Sequence, residues 1–193
     1  MTEIALAVAP ASVTEPVSLD EACWVDAARA GDITAFDAIM TRYEPRLLRF
    51  LTGLVQNVEV ARDLCQETFL AAYQSLPRTS GEMKLSSWLH TIALNKARSY
   101  HRRRKLRIVV HLEESHHPSV GDTQEIAATV DAVRRTLARM PDTYVQPLLL
   151  QTGSEMTCRE IGEILHSSEG AVKVRLLRAR ECFRRIYKEE AGE

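Results

Sequence analysis

The residues best suited to chemistry are a group of bases near the end of the chain, and the chemistry that they suit is contact with a polyanion. They flank an apolar stripe that recurs every three or four positions over 172–186, the spacing of one helix face. The bases are Lys173, Arg175, Arg178, Arg180, Arg184 and Arg185. A shorter amphipathic segment precedes them at 157–165. Two short helices, the second of them basic, are typical of a helix-turn-helix that places its second helix in the major groove of DNA.

Both helices carry signals for where they begin. Thr157 and Glu160 form the pattern of a capping box, in which the hydroxyl caps the helix and the carboxylate reaches back. The sequence His166-Ser167-Ser168 then interrupts the periodicity, and Ser167 or Ser168 can cap the second helix. A solvated basic face at the end of a helical domain is the alternative explanation of the same pattern.

A second group of bases lies in the middle of the chain, where no acid interrupts it. Between 95 and 107 these bases are Lys96, Arg98, Arg102, Arg103, Arg104, Lys105 and Arg107. The formal net charge of −1 conceals this grouping because acids outnumber bases over residues 1–37. Two basic blocks on an otherwise acidic protein indicate two contacts with a polyanion.

The remaining reactive residue types favour neither a metal site nor catalysis. The cysteines are scattered without a C-x-x-C pair, which is typical of reduced core residues in a cytoplasmic protein. The histidines of segment 111–117 lie in a polar loop where such spacing usually arises by chance, so we expect no metal and no other cofactor. The sequence has no nucleophile–base pair, H-E-x-x-H motif or phosphate loop, so we expect no enzymatic activity. No run of residues approaches a membrane span.

The rest of the sequence supplies the helices that must position these bases. Helical periodicity extends over 18–55 with a break at Gly31-Asp32, and over 61–76, 85–104, 124–139, 142–150 and 157–186. Pro45 predicts a kink or restart of the helix there. Pro147 is unfavourable within the helix that starts at Asp142, unless that helix is short or kinked. Because no strand pattern is found, we expect an all-α fold of two small helical domains.

Breaks in the periodicity divide the chain into four parts. Residues 1–17 are predicted to be a flexible extension and 18–106 a helical bundle. Residues 107–123 are predicted to be a flexible linker, since they contain Pro118 and Gly121 and show no helical period. Residues 124–190 are predicted to form the helix-turn-helix domain.

The helix predicted over 61–76 has one broad apolar face and a mixed face opposite. The members of the mixed face are Asp63, Gln66, Glu67 and Leu70. A leucine among acidic and amide side chains gains no free energy of burial unless another surface covers it. A single exposed leucine is nevertheless normal. We interpret this mixed face as a protein-binding surface.

The helix predicted over 85–104 has an apolar face and a polar one. The polar face carries Ser87, Thr91, Leu94, Arg98, His101 and Arg102. Hydroxyls at its start and cations further on suit the backbone and base edges of a nucleic acid. A solvated helix that ends in a basic cluster is the alternative.

In their order, these pieces resemble the extracytoplasmic-function (ECF) sigma factors, the minimal two-domain initiation factors of bacterial transcription. The resemblance covers nearly all of the helical part of the chain (22–188). Residues 63–70 (DLCQETFL) resemble the family's DLvQeTFl, and residues 85–95 (LSSWLHTIALN) resemble its FrtWLyrIArN. Met140-Pro141 resembles the LP that opens the second domain. Residues 160–165 (EIGEIL) and 170–180 (GAVKVRLLRAR) resemble its EIAeiL and GtVKsRLxRAR.

The resemblance implies a role for each face, with 18–106 as a region 2-like domain and 124–190 as a region 4-like domain. The residues that would bind RNA polymerase core are Asp63, Gln66, Glu67 and Leu70. Those that would capture and open the −10 element are Ser87, Trp88, Thr91, Asn95, Arg98, His101 and Arg102. Those that would read the −35 element are Thr157, Ser168, Gly170, Ala171, Lys173, Val174, Arg175 and Arg178. The implied partners are core polymerase (its β′ clamp helices and β flap), promoter DNA and an anti-sigma factor, in the cytoplasm and without direct membrane insertion.

The chain also departs from the family pattern. Ala171 and Val174 replace hydroxyls often found at those positions, and their small apolar groups could meet a thymine methyl. Pro147 and Glu155 differ from the commoner residues, which leaves open how the helix before the helix-turn-helix is placed. The alternative function is a free-standing helix-turn-helix regulator that binds an operator without polymerase, and it has no use for the patch around Asp63.

Overall fold

The structure, a computed structural model, describes residues 19–108 and 124–191. Its α-helices are α1 (Leu19–Arg29), α2 (Ile33–Val55), α3 (Val58–Ser75), α4 (Leu85–Ile108), α5 (Gln124–Arg139), α6 (Asp142–Ser154), α7 (Cys158–Leu165) and α8 (Glu169–Ala191), and a 3₁₀ turn at Leu76–Arg78 follows α3. We call α1–α4 the first lobe and α5–α8 the second lobe. Within these residues no strand occurs, so the prediction of an all-α fold is confirmed. The predicted domain limits at 17, 106 and 123 fall at or near the edges of the described ranges and stay a prediction.

Side-chain caps set the starts of the first long helices. The Asp32 carboxylate accepts hydrogen bonds from the Thr34 hydroxyl, from Thr34 N–H at 2.8 Å and from Ala35 N–H at 3.4 Å. These bonds lower its pKa. Asn57 accepts from Val60 N–H at 3.0 Å and so begins α3. These caps satisfy backbone donors that a helix start otherwise leaves without a partner.

Two prolines lie inside helices without ending them. We expected a kink or restart at Pro45, and no restart occurs, since α2 runs unbroken from Ile33 to Val55. Pro147 is buried inside α6, which continues to Ser154 rather than ending at 150 as predicted. A proline costs a helix one backbone hydrogen bond. Burial of the surrounding turns between neighbouring helices compensates for that loss in both cases.

The core of the first lobe forms where α1, α2, α3 and α4 meet. The predicted apolar face of α3 is buried as expected, and its members are Leu64, Cys65, Thr68, Phe69, Ala72 and Leu76. Phe36 of α2 meets Phe69 of α3 edge to face, with ring centroids 6.5 Å apart. The cysteines do not share one environment, because Cys65 is buried but Cys23 is exposed, so the expectation of core thiols was wrong for Cys23.

The second lobe is built around α8. The predicted stripe of α8 faces inward, with Val172, Leu176, Ala179 and Ile186 buried and Phe183 half-buried. The stripe packs against α5, α6 and α7. Near the C-terminal end of α8, the Arg139 guanidinium of α5 forms ion pairs with the Glu189 and Glu190 carboxylates, each at 2.7 Å.

The two lobes pack directly against each other, which the sequence did not predict. Helix α2 packs on α6, and α4 packs on α7. Second-lobe residues lie in the same continuous apolar cluster as the first-lobe core, and they are Leu150, Met156, Ile161, Ile164, Val172 and Leu176. Helix α4 is therefore buried on two sides. The expectation that Leu94 belongs to a polar outer face was wrong, because it is buried.

Candidate nucleic-acid and protein interfaces

The helix-turn-helix begins with the predicted capping box. The Thr157 hydroxyl accepts a hydrogen bond from Glu160 N–H at 3.3 Å, and the Glu160 carboxylate accepts one from Thr157 N–H at 3.0 Å. Burial opposes ionisation of Glu160, but the hydrogen bonds from Thr157 and the charge of Lys84 outweigh it, so its pKa is lowered. The Thr157 hydroxyl is thus already engaged in the cap.

The turn between α7 and α8 is tight because the backbone approaches a glycine. His166 adopts a left-handed conformation at φ 52°, and Ser167 N–H donates to Gly162 C=O at 2.9 Å. A Cβ at Gly162 would lie 2.5 Å from the Ser167 carbonyl oxygen. The Ser168 hydroxyl then accepts from Ala171 N–H at 3.2 Å and caps α8, so Ser168 rather than Ser167 is the cap.

The outward face of α8 is a mixture of cations and aliphatic side chains. Its predicted members Gly170, Lys173 and Arg178 are exposed, whereas Ala171 and Arg175 are half-buried. The Lys173 ammonium lies 2.6 Å from the Glu169 carboxylate. That hydrogen bond and charge raise the Lys173 pKa.

Two aliphatic side chains project from this face one turn apart. Val174 is 49% exposed and Leu177 is 57% exposed. The sequence singled out Val174 but missed Leu177, although Leu177 lies three residues further along the same helix. The same helical spacing could have found it.

The predicted −10 residues of α4 divide between two faces. Asn95 and Arg102 are exposed beside a groove that Ile92, Lys96, Ser99, Arg103 and Glu67 also line. Lys96 and Glu67 form an ion pair at 3.1 Å that ties α4 to α3. Trp88 and Thr91 are half-buried, and Thr91 donates to the Ser87 carbonyl of its own helix at 2.8 Å.

Of the other predicted −10 residues, Arg98 and His101 lie next to the second lobe, with Arg98 still exposed, and Ser87 is buried. Arg98 donates to the Gln146 side chain of α6 at 2.9 Å. His101 lies 3.2 Å from the Leu54 carbonyl oxygen and lines the crevice that Asp142 and Gln146 close. Ser87 is buried, and its hydroxyl has no hydrogen-bond partner among the residues that the structure describes.

The mixed face of α3 is open to solvent, as predicted. Asp63, Gln66 and Glu67 are exposed, and Leu70 is 58% exposed. Tyr73, one turn beyond Leu70, is also exposed and stacks edge-on against Phe36 at 5.1 Å. Sequence reasoning missed Tyr73, which the three-residue spacing from Leu70 could have indicated.

No metal site or membrane-spanning segment emerges from the described ranges. No three potential ligands converge within residues 19–108 and 124–191. The histidines of segment 111–117 lie outside these ranges. None of the helices that the structure describes combines the length and apolarity that a bilayer crossing requires.

Comparison with known proteins accounts for both lobes. Family models for Sigma-70 region 2 and Sigma-70 region 4 match residues 39–107 and 130–183, and together they span more than half of the chain. The chain is thus a sigma-70 class transcription initiation factor. Within that class, the chain belongs to the ECF sigma factors.

The similar proteins agree on this family. The chain is 27% identical to the ECF RNA polymerase sigma factor SigW of Bacillus subtilis, over 81% of this chain and 91% of the relative. It is 28% identical to the ECF RNA polymerase sigma-E factor of Haemophilus influenzae, over 86% and 94%. Among solved structures, CnrH in complex with the cytosolic domain of CnrY superposes with a TM-score of 0.70 at 23% identity, over 88% of this chain and 98% of that one.

Proposed function

We propose that this ECF sigma factor divides promoter recognition between three surfaces, with α3 binding polymerase core, α4 capturing the −10 element and α8 reading the −35 element. The observation that carries the proposal is the exposed mixed face of α3, at the position of the family's polymerase-binding motif. A free-standing helix-turn-helix regulator would have no use for that face. The proposed role is to position polymerase, and no residue is assigned a catalytic step.

The α3 face suits a protein partner because it combines charge with an uncovered apolar side chain. Asp63 and Glu67 supply negative charge, and Gln66 can both donate and accept hydrogen bonds. Leu70 gains free energy only when a partner removes it from water, at about 25 cal/mol per Å² of apolar surface. Protein interfaces commonly have an apolar core and a polar rim, which is the arrangement of Leu70 and its neighbours.

The exposed part of the α4 face suits a single DNA strand. Asn95 and Arg102 can meet phosphates or base edges, and Trp88 lies two turns before Asn95 on the same side of the helix. Capture of unpaired bases would offset part of the cost of strand opening. This proposal places the −10 strand along the groove between α4 and α3.

The α8 face suits duplex DNA. Its first turn presents backbone N–H groups beyond the Ser168 cap, and Lys173 and Arg178 lie on either side of Val174. The cations supply phosphate contacts, while the aliphatic side chains can touch only apolar parts of a base edge, of which the thymine methyl is the one in the major groove.

We extend the proposal to the setting in which the protein acts. Its partners would be polymerase core, promoter DNA and an anti-sigma factor, and it would act in the cytoplasm. The anti-sigma partner is proposed from likeness of fold, since the similar sigma factor RpoE was solved in complex with the anti-sigma factor NepR from Bartonella quintana. That structure has a TM-score of 0.68 at 21% identity and covers 81% of this chain.

Run-off transcription from genomic fragments tests the proposal, using core polymerase with and without this chain. The double substitution of Asp63 and Gln66 by alanine should abolish chain-dependent transcripts and core binding while circular dichroism stays unchanged. Asp26→Ala, which removes an exposed acid from α1, is the matched control and should leave core binding unchanged. Binding of duplex DNA without any response to core polymerase would instead favour the free-standing regulator.

A further inference from the structure

A short irregular segment, residues 79–84, leads directly into α4, and we call it the α4 entry loop. It follows the 3₁₀ turn after α3 and ends where α4 begins. The Thr79 N–H donates to the Leu76 carbonyl oxygen at 3.0 Å, and the Thr79 hydroxyl donates to the same oxygen at 2.7 Å. These bonds fix the start of the loop, whose remaining residues lack the repeating backbone bonds of a helix.

A side chain from another helix holds the middle of the α4 entry loop. The Arg29 guanidinium, at the end of α1, donates through Nε to the Thr79 hydroxyl oxygen at 3.1 Å and through Nη2 to the Gly81 carbonyl oxygen at 2.9 Å. Its Nη1 donates to the Asp26 carboxylate of α1 at 3.1 Å. The donors of a guanidinium form a rigid fork, which can bridge two acceptors at once. Arg29 therefore fixes the positions of Thr79 and Gly81 relative to each other and to α1.

Hydrogen bonds rather than burial give the middle of the loop its shape. Gly81 has a φ of 75°, and a Cβ at this position would meet no atom within 4 Å. The Arg29 side chain is 19% exposed, so it lies at the surface and not in the core of the lobe. Removing Arg29 would thus release the loop without leaving a cavity in the core.

The α4 entry loop lies at one end of the surface that the proposed function assigns to the −10 strand. The groove along α4 extends from Arg103 to Ile92. At 1.5 Å per residue, Ile92 is about 10 Å along the helix axis from Leu85, where the loop joins α4. Trp88 lies between them, and its N–H donates to the Lys84 carbonyl oxygen at 3.0 Å. A strand that continues along α4 past Trp88 therefore comes to the loop.

The loop offers exposed hydrogen-bonding groups beside the largely buried start of α4. Ser80 and Glu82 of the loop are exposed, whereas Leu85 and Ser87 of α4 are buried. Groove cations such as Lys96 suit phosphates, and phosphate contacts carry no sequence information, whereas hydrogen bonds to base edges do. Discrimination by such bonds requires a fixed loop, because a wrong base is rejected only when groups that cannot shift are left unpaired.

We propose that Arg29 is a positioning residue for the −10 element, which holds the α4 entry loop from α1 in the shape that discriminates between bases of the −10 strand. This inference rests on the proposed function of α4. Arg29 acts through the loop and not on DNA, because its nitrogens bond the loop and Asp26. Loss of Arg29 should leave the affinity that the groove cations supply and reduce the discrimination between bases.

Base-substituted oligonucleotides separate positioning from general binding. Single-stranded oligonucleotides of the −10 element of one run-off promoter carry each of the four bases in turn at each position. Competition for holoenzyme, reconstituted from core polymerase and the full chain, gives the affinity ratio of the best to the worst base at each position. Arg29→Met keeps the aliphatic stem, and Thr79→Val removes the hydroxyl at nearly constant volume. Arg135→Met, which removes an exposed ion pair with Glu190 in the second lobe, is the matched control.

Arg29→Met and Thr79→Val should each lower this ratio at least fivefold at one or two neighbouring positions, since one wrong base typically weakens binding about fivefold or more. Ratios at the other positions, and the affinity for an abasic oligonucleotide, should stay within about twofold of wild type. The combined variant should lose no more than Arg29→Met alone, because both substitutions remove the same contact. Arg135→Met should keep every wild-type ratio.

The hold on the loop can also be measured without DNA. Arg78 and Lys84 are exposed trypsin sites on either side of the loop. Cleavage after both should accelerate several-fold in Arg29→Met but not in Arg135→Met, because local opening of the backbone controls proteolysis. Faster cleavage with unchanged base ratios would reduce Arg29 to a local stabilising contact and overturn the positioning role.

Two further results would contradict the proposal. One is an unchanged set of base ratios in both Arg29→Met and Thr79→Val, and the other is an equal loss of affinity for every base and for the abasic oligonucleotide. If circular dichroism shows that Arg29→Met does not fold, Thr79→Val alone decides. Wild-type holoenzyme that neither transcribes nor prefers any base would instead refute the proposed function.

Discussion

The His90 imidazole and the Ser154 hydroxyl, one from each lobe, share a 2.6 Å hydrogen bond in the buried centre of the molecule. His90 is 0% exposed, and its ring also meets Phe50 edge-on at 5.2 Å. Burial is the main cause that lowers the pKa of His90 to about 4, so the ring is neutral at ordinary pH. The bond therefore joins two neutral groups, and no ion pair is needed at this contact between the two lobes.

Removing the Ser154 hydroxyl should weaken the packing of the lobes. Ser154→Ala leaves His90 Nε2 buried without a donor, which costs about 1–3 kcal/mol. The midpoint of urea unfolding should fall. Thr152→Ala is the matched control, because the Thr152 hydroxyl donates to Leu148 of its own helix. Equal effects of the two substitutions would argue against a specific role for Ser154.

Acid should weaken the same packing over a defined pH range. The pKa of His90 is about 4 in the packed form and about 6.5 when solvated, so the unpacked form binds a proton that the packed form excludes. Stability is therefore complete above about pH 6.5, falls by about 2 kcal/mol at pH 5, and levels off below pH 4. The charge of Arg46 on α2 adds to the lowering.

Unfolding midpoints between pH 7 and 4.5 measure this loss. His90→Gln, which cannot take a proton, supplies the control. The part of the slope that is due to His90 should vanish in that variant. An unchanged slope would assign the acid sensitivity to other groups, such as the carboxylate of Glu160.

The helix-turn-helix could be predicted in detail because its signals are local. The capping box at Thr157, the Ser168 cap and the inward stripe of α8 depend on residues three or four apart, and the structure reproduces each of them. The exposed Leu70 could be predicted for the same reason, since its neighbours on α3 fix which face is apolar.

The double burial of α4 could not be predicted, because it depends on contacts between lobes. No local pattern tells whether Leu94 or Ser87 faces water or a second lobe, since the lobes meet where α2 packs on α6 and α4 packs on α7, and these helices lie far apart in the sequence. The helix interruptions expected from Pro45 and Pro147 were wrongly predicted for a related reason. Tertiary packing holds the helix around each of them, which the local preference of proline does not include.

Truncating Leu70 should weaken the proposed contact with polymerase without destabilising the chain. Leu70→Ala removes apolar area that only a partner would bury, so core affinity should fall by about 1–2 kcal/mol, or roughly five- to thirtyfold. Unfolding free energy should change by less than about 0.5 kcal/mol. Val130→Ala, at an exposed aliphatic position of α5, is the control for pull-down with core polymerase. Wild-type affinity of Leu70→Ala would exclude Leu70 from the contact.

Removing the capping hydroxyl at Thr157 should destabilise the helix-turn-helix. Thr157→Ala leaves the Glu160 N–H without its acceptor and should cost about 1 kcal/mol, whereas Thr157→Ser should restore most of the loss. Thermal unfolding measures both variants. If serine fails to rescue the alanine variant, the methyl group rather than the hydroxyl carries the effect.

The exposed aliphatic pair on α8 should make −35 binding sensitive to thymine methyl groups. Val174 and Leu177 can offer no hydrogen bond to a base edge, so their contribution to recognition is apolar. Replacing each thymine of the −35 element in turn by deoxyuridine should lower affinity at one or two positions by about 0.8 kcal/mol, or roughly fourfold. In Val174→Ala or Leu177→Ala the same replacement should cost less, because the methyl has lost its partner, and a double-mutant cycle measures that coupling.

Arg178→Ala is the control, since loss of a phosphate contact should weaken thymine and deoxyuridine sites equally and reduce the salt dependence of binding. A cycle that shows no coupling for either aliphatic residue would exclude methyl recognition and leave the pair to a protein partner.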